Sequence, residues 1–223
     1  RRHRREAGRV TVKRVLVTYA TMAGSTAEVA QEIAAELGAS GLQAEVLPLD
    51  AVQTLQEYDA VVVGAPMIMG WHRGALRFLR KRRGELKDMP YAVFVTAMSL
   101  TETGEREVEG VAVTVDEKLP KAPANAQNLS FRERYARLSN YLRPILRAGG
   151  TAKPASIGVF GGRMEYGRLK WWAVLFAMFI VRAPAGERRN WDAIRAWAAS
   201  LPQTLQLENV APVVSRRIPM AES

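Results

Sequence analysis

Short runs of nearly unbroken apolar residues recur through this chain, at 15–17 (V-L-V), 58–64 (Y-D-A-V-V-V-G), 91–97 (Y-A-V-F-V-T-A) and 155–161 (A-S-I-G-V-F-G). Runs this short, without polar alternation, make strands buried on both faces. Residues 42–49 read as a further strand, whose Pro48 suits a sheet edge, where a missing N–H is tolerated. Helical spacing fills the intervals: Val29, Ala30, Ile33, Ala34 and Leu37 after the first run, a short and strongly basic helix over 75–83, a helical stretch over 131–147 and a closing amphipathic helix over 191–201. Five β-rich runs alternating with helices predict an α/β domain whose parallel sheet is covered on both faces. Ligands of such sheets sit beyond the strand C-termini at the topological switch point. The loops after the first, third and fourth strands are therefore expected to converge on a site.

The first strand–helix junction carries the most chemistry. Val15, Leu16 and Val17 lead into a turn over 18–26 that is rich in hydroxyls and contains Gly24, and a helix follows. Strand, polar loop and helix N-terminus together make an anion site from free backbone N–H groups and the positive end of the helix dipole. The loop has no lysine, which excludes the G-x-x-x-x-G-K-[ST] triphosphate loop, and its single glycine excludes the G-x-G-x-x-G dinucleotide fingerprint. Thr21, Ser25 and Thr26 can donate hydroxyls, beside backbone N–H groups, to one terminal phosphate. That suits a mononucleotide monoester. The competing structural reading is a capping box, with Ser25 and Glu28 at the spacing that opens an ordinary helix.

A chain of 223 residues with 48% hydrophobic content supports one α/β domain with insertions and tails. The absence of cysteine excludes disulfides and thiolate-bound metals, and two histidines argue against a multi-histidine metal centre. The formal charge of +10 is concentrated. Arg1, Arg2, Arg4, Arg5, Arg9, Lys13 and Arg14 hold one share, and Arg77, Arg80, Lys81, Arg82 and Arg83 another. No recognition motif accompanies this charge, which argues against nucleic acid; an anionic membrane surface suits it better. No apolar h-region follows the first arginines, so they do not read as a signal peptide. Residues 1–12 are expected to be a basic disordered tail, and the opening on Arg1 without methionine fits a trimmed or incomplete start.

Two segments exceed the α/β plan. Residues 98–130 form a long acidic-to-polar connection, functional or mobile by its length, in which the alternation at 111–115 can make a small strand. Residues 169–182 (L-K-W-W-A-V-L-F-A-M-F-I-V-R) are apolar on every side. Their core, 171–181, would be about 16 Å long as a helix at about 1.5 Å per residue. That is too short for a bilayer core of about 30 Å. With Arg168, Lys170 and Arg182 flanking it and tryptophans at one end, the segment fits an interfacial helix, a hydrophobic partner surface or a buried core helix. The tail from 202 to 223 carries no periodicity and receives no function.

The loop T-M-A-G-S-T at 21–26, after the strand V-L-V-T-Y, resembles the flavodoxin superfamily, whose usual pattern there is T/S-x-T-G-x-T; Ala23 stands at the middle threonine. The runs V-G-A-P-M-I-M-G-W-H-R-G (63–74), G-G-R-M-E-Y-G-R-L-K-W-W (161–172) and A-G-E with N-W-D-A-I (185–194) are similar to the branch containing quinone-dependent protoporphyrinogen IX dehydrogenases. The resemblance covers residues 13–201. It implies a flavodoxin-like, doubly wound, five-stranded parallel sheet in the order 2-1-3-4-5, with the 98–130 insertion after strand 4 and the apolar 169–182 helix after strand 5.

The resemblance also implies FMN. Thr21, Met22, Ala23, Gly24, Ser25 and Thr26 would hold its phosphate. Pro66, Met67, Ile68, Met69, Gly70 and Trp71 would line one face of the isoalloxazine, and Thr96, Ala97, Met98 and Ser99 the other. Trp71 is a candidate for stacking, or else a loop tryptophan packed on the sheet. His72 can donate to flavin or to a substrate carboxylate, or be a surface histidine without a role. Arg163, Arg168 and the basic helix can attract propionates or lipid headgroups through arginine forks, or be solvated faces. No side chain stands out as a general base.

The expected activity is an FMN-dependent oxidoreductase, protoporphyrinogen oxidase-like and so in haem biosynthesis, passing electrons from a porphyrinogen-like donor to a quinone. It would be cytoplasmic, with peripheral contact to the inner face of the cell membrane through 169–182. Two alternatives stay open: a flavodoxin-type electron carrier without its own substrate, which the basic charge disfavours, and a cofactor-free interaction module. Electron partners and oligomeric state are left open, an oligomer included.

Overall fold

The apolar runs become strands where the sequence places them. The computed structural model describes residues 12–22, 24–67, 70–164 and 186–207. In chain order β1 (Arg14–Tyr19) is followed by α1 (Ser25–Ala39), β2 (Gln43–Pro48), β3 (Ala60–Met67), α2 (Arg73–Lys81), α3 (Arg83–Lys87) and β4 (Tyr91–Ala97). The connection after β4 holds β5 (Leu100–Thr101), β6 (Glu107–Val108), β7 (Val111–Val115), β8 (Pro120–Lys121), α4 (Phe131–Tyr135) and α5 (Leu138–Gly149). Then come β9 (Ser156–Gly161), β10 (Arg163–Met164), β11 (Gly186–Glu187) and α6 (Trp191–Thr204).

The main sheet runs β2-β1-β3-β4-β9-β7-β6. The five strands expected from the apolar runs keep the 2-1-3-4-5 order within it, all parallel, with Leu16 opposite Val61, Val63 opposite Val93 and Val95 opposite Val159. The sheet has seven strands, however, rather than five. The insertion supplies the other two: β7 lies parallel to β9, and β6 folds back antiparallel on β7. Val111, Val113 and Val115 are buried while Ala112 and Thr114 are exposed, the alternation of a strand with one wet face. β2 lies at the opposite edge, where Pro48 takes the last pairing position.

Successive strand residues point to opposite faces, and each face has its own core. Leu16, Val61, Val63, Val93 and Val95 pack with Phe78 and Leu79 of α2 and Leu142 and Ile145 of α5. Val15, Val17, Val62 and Phe94 pack with Val29 and Ile33 of α1 and Ile194 and Trp197 of α6. Gly64 makes room for the Phe94 ring; a Cβ there would sit 1.9 Å from the ring.

Boundaries move for physical reasons. The expected loop from residue 65 begins later, because Pro66 and Met67 still pair with Thr96 and Ala97. The basic helix starts at Arg73 and stops at Lys81, with the short α3 after it. The 131–147 stretch divides into two helices at Ala136 and Arg137. α6 continues past Leu201 through Pro202, because Leu205 and Leu207 beyond it also pack into the core. The expected apolar helix at 169–182 and most of both expected tails lie outside the described residues. No described helix is long and apolar enough to cross a membrane.

Candidate functional site

The carboxyl ends of β1, β3 and β4 bring the three expected loops to one edge of the sheet. After β1 the chain reaches Gly24, the N-cap of α1, at φ +91°, in the left-handed region where glycine carries no Cβ penalty. No side chain caps this helix, so Ser25 and Glu28 do not form a capping box. The Gly24 carbonyl accepts from the N–H groups of Ala27 and Glu28 at 3.0 and 3.3 Å. The N–H groups of Ser25 and Thr26 have no partner among the described residues. They are the orphan donors of a helix start, aligned with the dipole's positive end.

The three hydroxyls expected to serve phosphate part company. Thr21 is exposed; its Oγ1 accepts from the Gly24 N–H at 2.9 Å and keeps its own proton to donate. Ser25 is 8% exposed, at the first turn. Thr26 is turned inward, 1% exposed, its hydroxyl 3.0 Å from that of Thr96. Thr26 and Thr96 thus pin the helix start to the end of β4 instead of offering hydroxyls outward. Met22 is among the exposed large apolar residues, and Ala23 lies outside the described residues.

Glu28 sits in the first turn of α1, where its charge faces two arginines. Arg163 Nη2 donates to it at 2.9 Å and Arg189 Nη1 at 2.7 Å. The Arg189 side chain is 3% exposed; it also donates through Nε to Glu187 at 2.7 Å and stacks over the Trp191 ring at 4.5 Å. These hydrogen bonds hold the Glu187 carboxyl below the usual range and raise the Arg189 guanidinium. The four charges tie α1 to the antiparallel β10–β11 pair. Arg163, expected to attract a ligand carboxylate, here meets a carboxylate of the protein. The network joins residues up to 161 positions apart, so no local spacing could announce it.

The loop after β3 turns its polar groups inward. Trp71 is 3% exposed, bridges back to Met67 and donates its indole N–H to the Ala65 carbonyl at 3.1 Å. In this arrangement the Trp71 ring packs with the core on the sheet. The His72 N–H donates to the Pro66 carbonyl at 3.2 Å, and its Nδ1 accepts from the Gly74 N–H as the cap of α2. Burial lowers the His72 pKa and favours the neutral ring this cap requires. Gly70 has φ +108°. Pro66 and Met67 are buried, and Ile68 and Met69 lie outside the described residues.

In the loop after β4, Ala97 and Met98 are buried, and the Ser99 carbonyl accepts from the Tyr141 hydroxyl at 3.1 Å. The Met98 carbonyl accepts from Arg188 at 3.2 Å. Of the basic run, Arg82 bonds Glu85 and the carbonyls of Val52 and Gln53, and Arg83 bonds the carbonyls of Arg147 and Ala148 at the end of α5. Arg77, Arg80 and Lys81 are exposed and meet no carboxylate among the described residues.

The parallel order of the five central strands, with unpartnered helix donors beyond β1 among the described residues, defines an α/β protein of the doubly wound class. Residues 16–190 match the Flavodoxin domain family, and the protein belongs to that family. Among curated proteins it is similar to the Escherichia coli protein named Protoporphyrinogen IX dehydrogenase (quinone), with 24% identity over 177 residues covering 78% of this chain and 82% of that one. The same figures hold for three strains. Among solved structures it is similar to a flavodoxin mutant from Pseudomonas aeruginosa, at 14% identity and a TM-score of 0.47, covering 86% of this chain and 99% of that chain. A flavodoxin from Streptococcus pneumoniae gives 16% identity and a TM-score of 0.43, covering 85% and 98%.

Proposed function

We propose that this protein is an FMN-dependent oxidoreductase that passes electrons from an apolar, porphyrin-like donor to a quinone at a membrane surface. The observation that carries the cofactor is the start of α1, where the Ser25 and Thr26 amides are unpartnered among the described residues and the charge of Glu28 is neutralised by Arg163 and Arg189. Amides and a hydroxyl without lysine suit one phosphate monoester, the terminus of FMN. Thr21, Gly24 and Ser25 with their backbone would hold it, and the loops at 66–71 and 96–99 would flank the ring. Bound FMN supplies a hydride acceptor; the chain binds it, orients it and excludes water.

The donor and acceptor rest on the relative, whose name specifies protoporphyrinogen IX and quinone. The membrane rests on the sequence at 169–182, apolar all round with basic flanks, as peripheral contact from the cytoplasmic side. The full chain should purify yellow or turn yellow with added FMN, and should reduce a quinone when given protoporphyrinogen in detergent. FMN binding without turnover removes the substrate assignment, and a colourless protein that ignores FMN removes the enzyme. A stable blue semiquinone on stepwise reduction favours a one-electron carrier instead. Replacing Leu175 and Phe179 with Asp should release the protein from anionic liposomes; unchanged partitioning overturns the membrane contact.

A further inference from the structure

The insertion helix α4 shows two large apolar side chains to solvent, Phe131 at 76% and Tyr135 at 40% exposure. They stand one turn apart and so share a face. Isolated exposed apolar residues need no explanation, but the start of this helix is capped in place and its Tyr135 stands beside the candidate site. A capping box fixes the start of α4, the Ser130 hydroxyl accepting from the Glu133 N–H while the Glu133 carboxylate accepts from the N–H groups of Ser130 and Ala124. The Tyr135 ring meets the Tyr141 ring edge-on, with centroids 6.1 Å apart. Tyr141 donates to the Ser99 carbonyl, and a Cβ on Gly70 would lie 3.8 Å from the Tyr135 hydroxyl. Tyr135 therefore stands beside Gly70 and, through Tyr141, is joined to Ser99, one residue in each of the loops that would flank the flavin ring. Between Phe131 and Tyr135 on the chain, Arg132 and Arg134 are exposed and meet no carboxylate among the described residues.

Resting on the FMN reading above, we infer that α4 is the substrate-side wall of the site: Phe131 and Tyr135 form a ledge for a flat conjugated ring, and Arg134 takes an anionic group on that ring. Aromatic faces reward planar partners by stacking, and a guanidinium fork binds carboxylate or sulfonate. The ledge lies on the long connection after β4, so it belongs to what this chain adds to the five-stranded frame.

The test is calorimetric titration of the full-length, FMN-loaded protein with anthraquinone-2-sulfonate, with cyclohexanesulfonate as a probe of equal charge and no aromatic ring. The unaltered protein should bind the first and ignore the second. Phe131→Ser should weaken the anthraquinone about tenfold, and adding Tyr135→Ser should weaken it further. Arg134→Gln should weaken it about threefold, in the range of an exposed ion pair. Tyr135→Phe should match the parent. FMN affinity, read by flavin fluorescence quenching, should be unchanged in Phe131→Ser, the more exposed of the two ledge positions. Parent-like anthraquinone binding in the FMN-loaded Phe131→Ser protein overturns the ledge and leaves the cofactor reading standing, as does equal binding of both probes. Failure of the unaltered protein to bind FMN overturns the cofactor reading and the ledge with it.

Discussion

The loop after β1 and the loop after β3 leave the same edge of the sheet and treat their polar groups in opposite ways. After β3, the Trp71 indole, the His72 amide and the His72 ring all bond within the segment Ala65–Gly74. After β1, the amides of Ser25 and Thr26 meet no described group, and Thr21 keeps a proton to donate. A loop whose donors are satisfied internally is a wall; one whose donors are left over can take a ligand, because an unpaired N–H gains most from a group that supplies the missing acceptor. Hydroxyl content does not decide which loop is which. Thr26 has the right side chain in the right loop, yet faces Thr96 in the interior.

The largest effect expected from breaking this contrast is on the closed loop. Trp71→Ala should destabilise the protein by about 3–5 kcal/mol, as truncation of a buried tryptophan does. Denaturant melts followed by circular dichroism would read it. Trp71→Phe keeps most of the packing and loses the bond to the Ala65 carbonyl, at about 1–3 kcal/mol. Its folded form should bind FMN like the parent. A tenfold loss of FMN affinity in Trp71→Phe would mean that the ring touches the cofactor after all.

On the open loop, Gly24→Val places a β-branched residue at φ +91°. The strain of about 1–3 kcal/mol should appear as a roughly 10- to 100-fold rise in the FMN dissociation constant, since relief of the strain rotates the amides off the phosphate. Flavin fluorescence titration measures it. If Gly24→Val binds FMN normally, the α1 start is not the phosphate site.

How much of this was legible beforehand follows from the range of each interaction. Strands β1, β3, β4 and β9 were readable because burial on both faces leaves no polar alternation, as at Val61-Val62-Val63, and that pattern is local; β2, half-buried at the edge, was readable from its apolar residues and its Pro48. The glycine and hydroxyls of the first loop were readable for the same reason. Strands β5, β6 and β8 span two residues each and leave no periodicity to detect. β7 showed its alternation, but its place beside β9 depends on pairing Val113 with Ile157 across the chain. The direction of Trp71, the inward turn of Thr26 and the Glu28–Arg189 pair are tertiary outcomes, to which neighbouring residues give no clue. The boundary of the third apolar run slipped: the run is read as ending at Gly64, whereas the strand runs on to Met67.

A smaller effect separates the open loop's own amides from the charges behind it. Arg189→Gln leaves Glu28 and Glu187, both carboxylates, with one arginine fewer beside the helix start. The added negative potential should weaken FMN by about tenfold or less, in the range of a charge at a helix terminus. Riboflavin, which lacks the phosphate, should bind the variant as it binds the parent. An equal loss for both ligands would assign Arg189 to folding of the β10–β11 pair rather than to the electrostatics of the phosphate loop.

The smallest effect tests whether the closed loop is closed by His72. Burial lowers this residue's pKa below its ordinary 6.5, and the neutral Nδ1 accepts from the Gly74 N–H. Between that ordinary value and the lowered folded one, the unfolded chain binds more protons than the folded one, so stability rises with pH through the window and is lost as pH falls through the folded value. Protonation of Nδ1 also removes the cap acceptor, at about 1 kcal/mol, or a shift of about 2–4 °C in melting temperature for a domain of this size. His72→Asn supplies a cap that does not titrate. Parent and variant should melt together near pH 8 and separate as pH drops toward 5, the parent falling first. A constant difference across that range would mean that the ring at the start of α2 does not titrate as a cap, and that the loop after β3 is held shut by Trp71 and the His72 amide.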